Sequence, residues 1–180
     1  IQYYKDIQRK WSSDGKRVIL FASKMVSRQS LNLADRITSA NKLKEEISSG
    51  LIFMGLVGIE DPPRKNIDHV IGILRDAGIK IVMITGDFEL TGVSIAKQCG
   101  IITSEKIAKV NTLGDSDKNS ISVTGPELNL LDESQWEQLV AHNELVFTRT
   151  TPEQKLLIVE KFQKYGQVVG MTGDGINDAP

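Results

Sequence analysis

The chain ends in Val168-Val169-Gly170-Met171-Thr172-Gly173-Asp174-Gly175-Ile176-Asn177-Asp178-Ala179-Pro180, and its middle holds a shorter version, Ile79-Lys80-Ile81-Val82-Met83-Ile84-Thr85-Gly86-Asp87. In both, a short apolar run that reads as a buried strand, Val168–Met171 or Ile79–Ile84, leads directly into Thr-Gly-Asp. In an open parallel sheet, ligands bind beyond the carboxyl ends of the strands, so the two triplets are expected to face one crevice. Glycine lets backbone amides approach an anion, a threonine hydroxyl adds a donor, and carboxylates hold a hard cation. That combination suits phosphate with Mg²⁺. Gly173-Asp174-Gly175 by itself is also a turn signal. Asn177, Asp178 and Pro180, however, do not read as a returning strand.

The sequence between these segments alternates strand and helix signals. Ile67, Val70, Ile71, Leu74 and Ala77 fall on one face of a helix stopped by Gly78, and a helix from about Thr91 to Cys99 ends at Gly100. Asp132 followed by Gln135 resembles a capping box for a helix carrying Trp136, Leu139 and Val140, and the short strand Leu145–Thr148 follows. Thr151-Pro152-Glu153-Gln154 is a strong helix start, with threonine at the cap and proline at the first helical position. That helix presents Leu156, Val159 and Phe162 before Gly166. Residues 103–125 are polar and weakly patterned and read as an excursion. Strands joined by such helices predict a mostly parallel sheet covered on both faces.

Upstream, a polar helix from Tyr3 to Trp11 precedes a turn and the strand Val18–Ala22. Leu33, Ile37, Ala40, Leu43 and Ile47 recur at helical spacing, and the glycine-spaced strand Leu51–Val57 follows Gly50. Glu60-Asp61-Pro62-Pro63-Arg64 then excludes both helix interior and central strand, which predicts a boundary between two lobes there.

Composition narrows the function classes. The 180 residues suffice for one ordinary domain or two small ones, with roughly 70% of the unfolded surface buried. Twenty-two basic against 23 acidic residues give a formal net charge of −1, which lends a nucleic-acid role no electrostatic support. One cysteine, Cys99, makes no internal disulfide and reads as core in a reducing compartment. The longest apolar run, Leu51–Ile59, falls short of the ~20 residues of a membrane-spanning helix, and no signal peptide is visible. The start at Ile1 and the stop inside a glycine-rich motif suggest a fragment. His69 and His142 lack metal-ligand spacing, and Trp11 and Trp136 read as packing. Lys155 occupies the fourth position of its helix, near the positive end of the dipole. A helical lysine is usually solvated surface, but one behind so firm a cap can neutralise a phosphoryl group as a point charge.

Asp61-Pro62-Pro63-Arg64, Thr85-Gly86-Asp87, Pro152-Glu153-Gln154-Lys155 and the closing Thr172–Pro180 string, in this order, resemble the cytoplasmic part of P-type cation-transporting ATPases. The phosphorylation domain of that family belongs to the haloacid dehalogenase-like hydrolases. Gly15-Lys16-Arg17-Val18 also resembles a stretch late in the family's nucleotide-binding domain, so the likeness covers essentially the whole chain. Residues 143–155 are most similar to the branch that includes the sodium/potassium and proton/potassium pumps. The resemblance implies an α/β fragment: residues 1–60 as the C-terminal part of an α+β nucleotide-binding domain, and 61–180 as a Rossmann-like phosphorylation domain lacking its first strand.

The resemblance also implies the chemistry. The family transfers the ATP γ-phosphate to an aspartate and hydrolyses the aspartyl phosphate while membrane helices move ions, here expected to be monovalent cations. Asp174 would ligate Mg²⁺, with Asn177 and Asp178 supporting the phosphate and metal site. Thr85 and Gly86 would hold the phosphoryl group, Asp87 would face the nucleotide and metal, and Lys155 would stabilise the transferring phosphate. Arg17, Asp61, Arg64 and Arg149 would touch nucleotide or hold the hinge. The expected partners are ATP, the remaining polypeptide with its actuator domain and membrane helices, and an accessory subunit. The parent would be a multi-pass membrane protein with this segment on the cytoplasmic side.

The sequence departs from the family at several points. No Asp-Lys-Thr-Gly occurs, so the phosphorylated aspartate is absent, as is the lysine-glycine-alanine nucleotide motif. The fragment alone is therefore expected to be inactive. Phe88-Glu89-Leu90-Thr91-Gly92 stands where the family continues with histidine or asparagine and reaches Thr-Ala. Two alternatives use the same residues: a soluble haloacid dehalogenase-like phosphatase, which needs its own nucleophilic aspartate, and a non-catalytic nucleotide- or phosphate-binding module.

Overall fold

The computed structural model describes residues 2–26, 40, 44, 45, 48–110, 120–173 and 175. The chain divides into two compact units, one made of Ile1–Arg17 with Glu60–Pro180 and the other of Val18–Ile59. Strand β1 (Arg17–Ser23), which belongs to the smaller unit from Val18 on, pairs with β2 (Ile52–Ile59) in a two-stranded sheet. Both strands fall where the apolar runs predict them. The helix expected over 33–47 lies outside the described residues apart from 40, 44 and 45, which are helical.

The larger unit begins with helix α1 (Gln2–Ser13) and continues after the prolines with α2 (Ile67–Asp76), β3 (Val82–Ile84), α3 (Glu89–Gln98), β4 (Ile107–Ala108) and β5 (Ser120–Thr124). It then runs through α4 (Gly125–Leu128), α5 (Glu133–Ala141), β6 (Glu144–Thr148) and α6 (Pro152–Lys164). The four strands lie in the order β3-β6-β5-β4, all parallel. This is the parallel α/β sheet that the alternating pattern predicts, and it fits the Rossmann-like domain that the resemblance implies.

Alternation along β6 sorts the core into two layers. Leu145 and Phe147 join Val123, Trp136, Leu139, Ile158 and Phe162 on the face covered by α5 and α6. Val146 joins Ile71, Ala96, Cys99 and Ile102 on the face covered by α2 and α3. The helix ends follow local chemistry. Gly78 adopts φ 79°, and the amides of Gly78 and Ile79 return to the carbonyls of Arg75 and Leu74, a Schellman closure that only a residue tolerant of positive φ makes cheaply. Asp132 and Thr151 form reciprocal capping boxes with Gln135 and Gln154, as the sequence predicts.

Two expectations fail. The 103–125 excursion contains β4 and β5, and β5 is an interior strand with Ser120, Ile121, Ser122 and Val123 all buried. Its serines read as loop because the sequence does not show their distant partners. Ser120 Oγ donates to Glu144, and Ser122 Oγ donates to Glu89 Oε1 at 2.7 Å. Residues 168–171, expected to be a buried strand, form none, and Val168 is fully exposed. Strand status requires a hydrogen-bonding neighbour. The far edge of β3 carries no paired strand among the described residues, and 168–171 find no ladder there.

Candidate functional site

Parallel register sets the carboxyl edge of the sheet level. Ile84 and Val123 both lie opposite Phe147, and Thr124 lies opposite Thr148, so the loops after β3, β5 and β6 emerge side by side. The amide of Thr85 donates to the Phe147 carbonyl at 2.9 Å, extending the ladder one residue beyond β3. The Thr85 carbonyl in turn accepts from the Thr150 amide at 3.2 Å and the Thr150 hydroxyl at 3.0 Å. Arg149 N–H donates to the Asp87 carbonyl at 2.9 Å. Arg149 holds φ 52°, the left-handed region that a bulky residue enters at a cost of roughly 1–3 kcal/mol. Such an outlier is most often retained where it shapes a working loop.

Within the Thr85-Gly86-Asp87 turn, the Thr85 hydroxyl accepts from Asp87 N–H at 3.1 Å. Its lone pair is thereby engaged while its proton can be donated outward. The Asp87 carboxylate receives a two-point ion pair from Arg17, with Nε to Oδ1 at 2.6 Å and a terminal nitrogen to Oδ2 at 3.1 Å. This hydrogen-bonded pair, the charge of Asp87 and, more weakly, the charge of Asp61 hold the Arg17 guanidinium above its ordinary pKa. Arg17, Asp61 and Asp87, distant in sequence, therefore share one electrostatic neighbourhood. Thr91 Oγ fixes the adjoining turn by donating to the Lys16 carbonyl at 3.0 Å, and Lys16 pairs with Glu60 at 2.9 Å. The Arg64 guanidinium is exposed, and among the described residues it makes no hydrogen bond or ion pair.

The start of α6 completes the edge. Thr151 Oγ accepts from Gln154 N–H at 3.3 Å, and Gln154 Nε2 donates to the Gly125 carbonyl at 2.7 Å, tying this helix to the loop after β5. Lys155 follows in the next position and is only 5% exposed. A lysine so placed is not the solvated surface residue that its helical position alone suggests. Asp174, Asn177 and Asp178 lie outside the described residues. Among the described residues no group of three or more His, Cys, Asp or Glu side chains converges as a metal site, and no helix is long and apolar enough to cross a membrane.

Sequence reading missed several residues that build this edge. Thr150 clamps the Thr85 carbonyl, and Glu89, in the first turn of α3, accepts from Ser122 and Lys109. Gly92 and Gly125 are sites of close approach. A Cβ at Gly125 would stand 2.3 Å from the Arg149 carbonyl oxygen, and one at Gly92 would stand 2.7 Å from Thr148 Cγ2. The only local signals for these residues are an acidic residue in the first turn of α3 and the Gly125-Pro126 pair that starts α4.

The chain is 42% identical over 144 residues to potassium-transporting ATPase alpha chain 2 of Cavia porcellus, which covers 74% of the chain and 14% of that relative. It is 43% identical over 144 residues to the same protein of Oryctolagus cuniculus, covering 74% of the chain and 13% of the relative. To sodium/potassium-transporting ATPase subunit alpha-4 of Homo sapiens it is 42% identical over 141 residues, covering 72% and 14%. The aligned part thus spans about one seventh of the length of these relatives. The haloacid dehalogenase-like hydrolase family matches residues 1–180, and with the parallel sheet and its crowded carboxyl edge it places this chain in that family.

Proposed function

We propose that this chain is a cytoplasmic segment of an ATP-driven membrane pump for monovalent cations. In that pump, Mg²⁺-dependent formation and hydrolysis of an aspartyl phosphate is coupled to transport. The observation that supports the reading is the carboxyl edge, where Arg149 and Thr150 clamp the Thr85–Asp87 turn and lead directly into the capped helix that carries buried Lys155. The identities with sodium/potassium- and potassium-transporting ATPases support the choice of monovalent cations. An accessory subunit and the rest of the polypeptide are the proposed partners.

Phosphoryl transfer is mostly positioning and charge neutralisation, and the described residues suit both tasks. Thr85, with its lone pair engaged by Asp87 N–H, donates its hydroxyl proton to a phosphoryl oxygen, and Gly86 leaves room for an anion against the backbone. Lys155, in a poorly hydrated setting, neutralises charge as it develops on the transferring group. Arg17 orients Asp87 in the resting site and carries a positive charge suited to a nucleotide phosphate. The hard oxygens of Asp174 and Asp178 are the donor type for Mg²⁺, which when bound would screen the phosphate charges. No Asp-Lys-Thr-Gly occurs in these residues, so the segment by itself forms no phosphoenzyme.

The test is Asp174→Asn in the full-length parent, with radioactive ATP and Mg²⁺. Loss of acid-stable labelling is expected, and undiminished labelling would remove Asp174 from the metal site. A natural polypeptide without an Asp-Lys-Thr-Gly motif would overturn the pump reading in favour of a phosphate-binding module.

A further inference from the structure

A cavity of about 350 Å³ opens at the amino edge of the sheet, opposite the carboxyl edge described above. It is lined by Arg75, Gly78, Ile79, Lys80, Asn143 and Glu144. Its size lies within the range of small-ligand sites, roughly 300–1,000 Å³. The single acid in the lining is already committed. Glu144 accepts from Ser120 Oγ, from Thr103 N–H at 2.9 Å and from Thr103 Oγ at 2.6 Å, with Arg75 a further 3.9 Å away. Arg75 directs its two terminal nitrogens to the carbonyls of Gly100 and Ile101, at 2.7 and 2.6 Å.

Lys80 is in a different position. It is half-buried, its ammonium donates to the Val140 carbonyl, and it stands 5.7 Å from the centre of the Phe162 ring. No carboxylate among the described residues pairs with it. Burial pushes its pKa down, and nothing facing it pushes the other way. Nearby His142 is held below its ordinary pKa by burial and by the charge of Lys80, so it adds no cation at neutral pH. Two cations and one fully occupied carboxylate leave the cavity with a net positive charge. A desolvated ammonium with only a neutral carbonyl and a ring face for company is stabilised by an anion.

We infer that this cavity binds a small anion bearing a phosphate or carboxylate group, with Lys80 as its charge partner and Asn143 as a hydrogen-bonding wall. This site is separate from the carboxyl-edge crevice and does not depend on the pump reading. The test is a titration of the isotope-labelled chain, followed by amide chemical shifts, with inorganic phosphate in one arm, acetate in a second and chloride at matched ionic strength as control. Saturable shifts at Gly78, Lys80 and Asn143 are expected, and the arm that produces them identifies the head group.

Lys80→Gln should weaken binding about tenfold or more, whereas Lys80→Arg, which keeps the charge, should stay within about threefold. Thr85→Ala should leave it unchanged. Equal shifts in chloride, or unchanged affinity in Lys80→Gln, would overturn the inference. Binding lost in Thr85→Ala but retained in Lys80→Gln would also overturn it, while placing phosphate at the Thr85 turn as the proposed function requires.

Discussion

Replacing Gly92 by alanine puts a Cβ 2.7 Å from Thr148 Cγ2 and 3.1 Å from Thr85 Cγ2, where carbon pairs rest at about 3.5–4.0 Å. Thr148 cannot easily give way. It is fully buried at the end of β6, hemmed in by neighbouring strands, and β-branching restricts its rotamers. Overpacking of this kind costs roughly 1–3 kcal/mol, while exchanging glycine for alanine inside a helix returns about 1 kcal/mol. The expected result for Gly92→Ala is a net loss of about 1 kcal/mol, where propensity alone would give a gain of that size. Thr148→Ser removes the offending methyl and by itself costs about 0.8 kcal/mol of burial.

In the double variant the 2.7 Å contact is gone, the milder 3.1 Å approach to Thr85 Cγ2 stays and the helix gain remains, so the coupling between the two sites should be about 1 kcal/mol and favourable. Urea unfolding followed by the fluorescence of buried Trp136 measures all four corners of the cycle, provided the slopes agree. A Gly92→Ala variant that is more stable than the parent in both backgrounds would refute the packing argument.

Two other predictions concern charge. Burial by itself pushes the Glu144 carboxyl up, but the hydrogen bonds from Ser120 and Thr103 and the charge of Arg75 outweigh it and hold the group below its ordinary value. Its contribution is therefore present above the unfolded pKa of about 4.3 and fades as pH falls through the lower folded value. Glu144→Gln should destabilise the chain by about 1–3 kcal/mol at pH 7 and flatten the acid limb of the stability curve, and an unchanged limb in urea melts at pH 3–5 would remove Glu144 from that role. In the full-length parent, Lys155→Ala should slow phosphoryl transfer by about 2.7–4 kcal/mol of barrier, read by rapid-quench labelling, and rates within about threefold of the unmodified enzyme would make Lys155 a packing residue.

What the sequence disclosed was decided within a few residues. The caps at Asp132 and Thr151 and the stop at Gly78 are all set by neighbours no more than five positions away. Strand β5 stayed hidden because Ser120 and Ser122 are made burial-compatible by Glu144 and Glu89, 24 and 33 residues distant. The opposite error at 168–171 has the same origin, since an apolar run becomes a strand only beside a partner. At the site, the Thr85–Asp87 triplet was legible as a unit, but its clamp by Thr150 and its pairing with Arg17 across 70 residues belong to the folded chain. Lys155 was legible by position, whereas its burial follows from tertiary packing.

The interlock at Gly125 bears on how such a crevice can vary. The backbone at 125 lies against the Arg149 carbonyl and accepts from the Gln154 side chain, so main chain at close approach, held by a few polar side chains, sets the outline of the carboxyl edge. A template set in this way tolerates exchange of the groups it displays. Glu89 belongs to that mould through Ser122 and Lys109, so variation in this chain is expected at displayed side chains such as Phe88 rather than in the form of the edge.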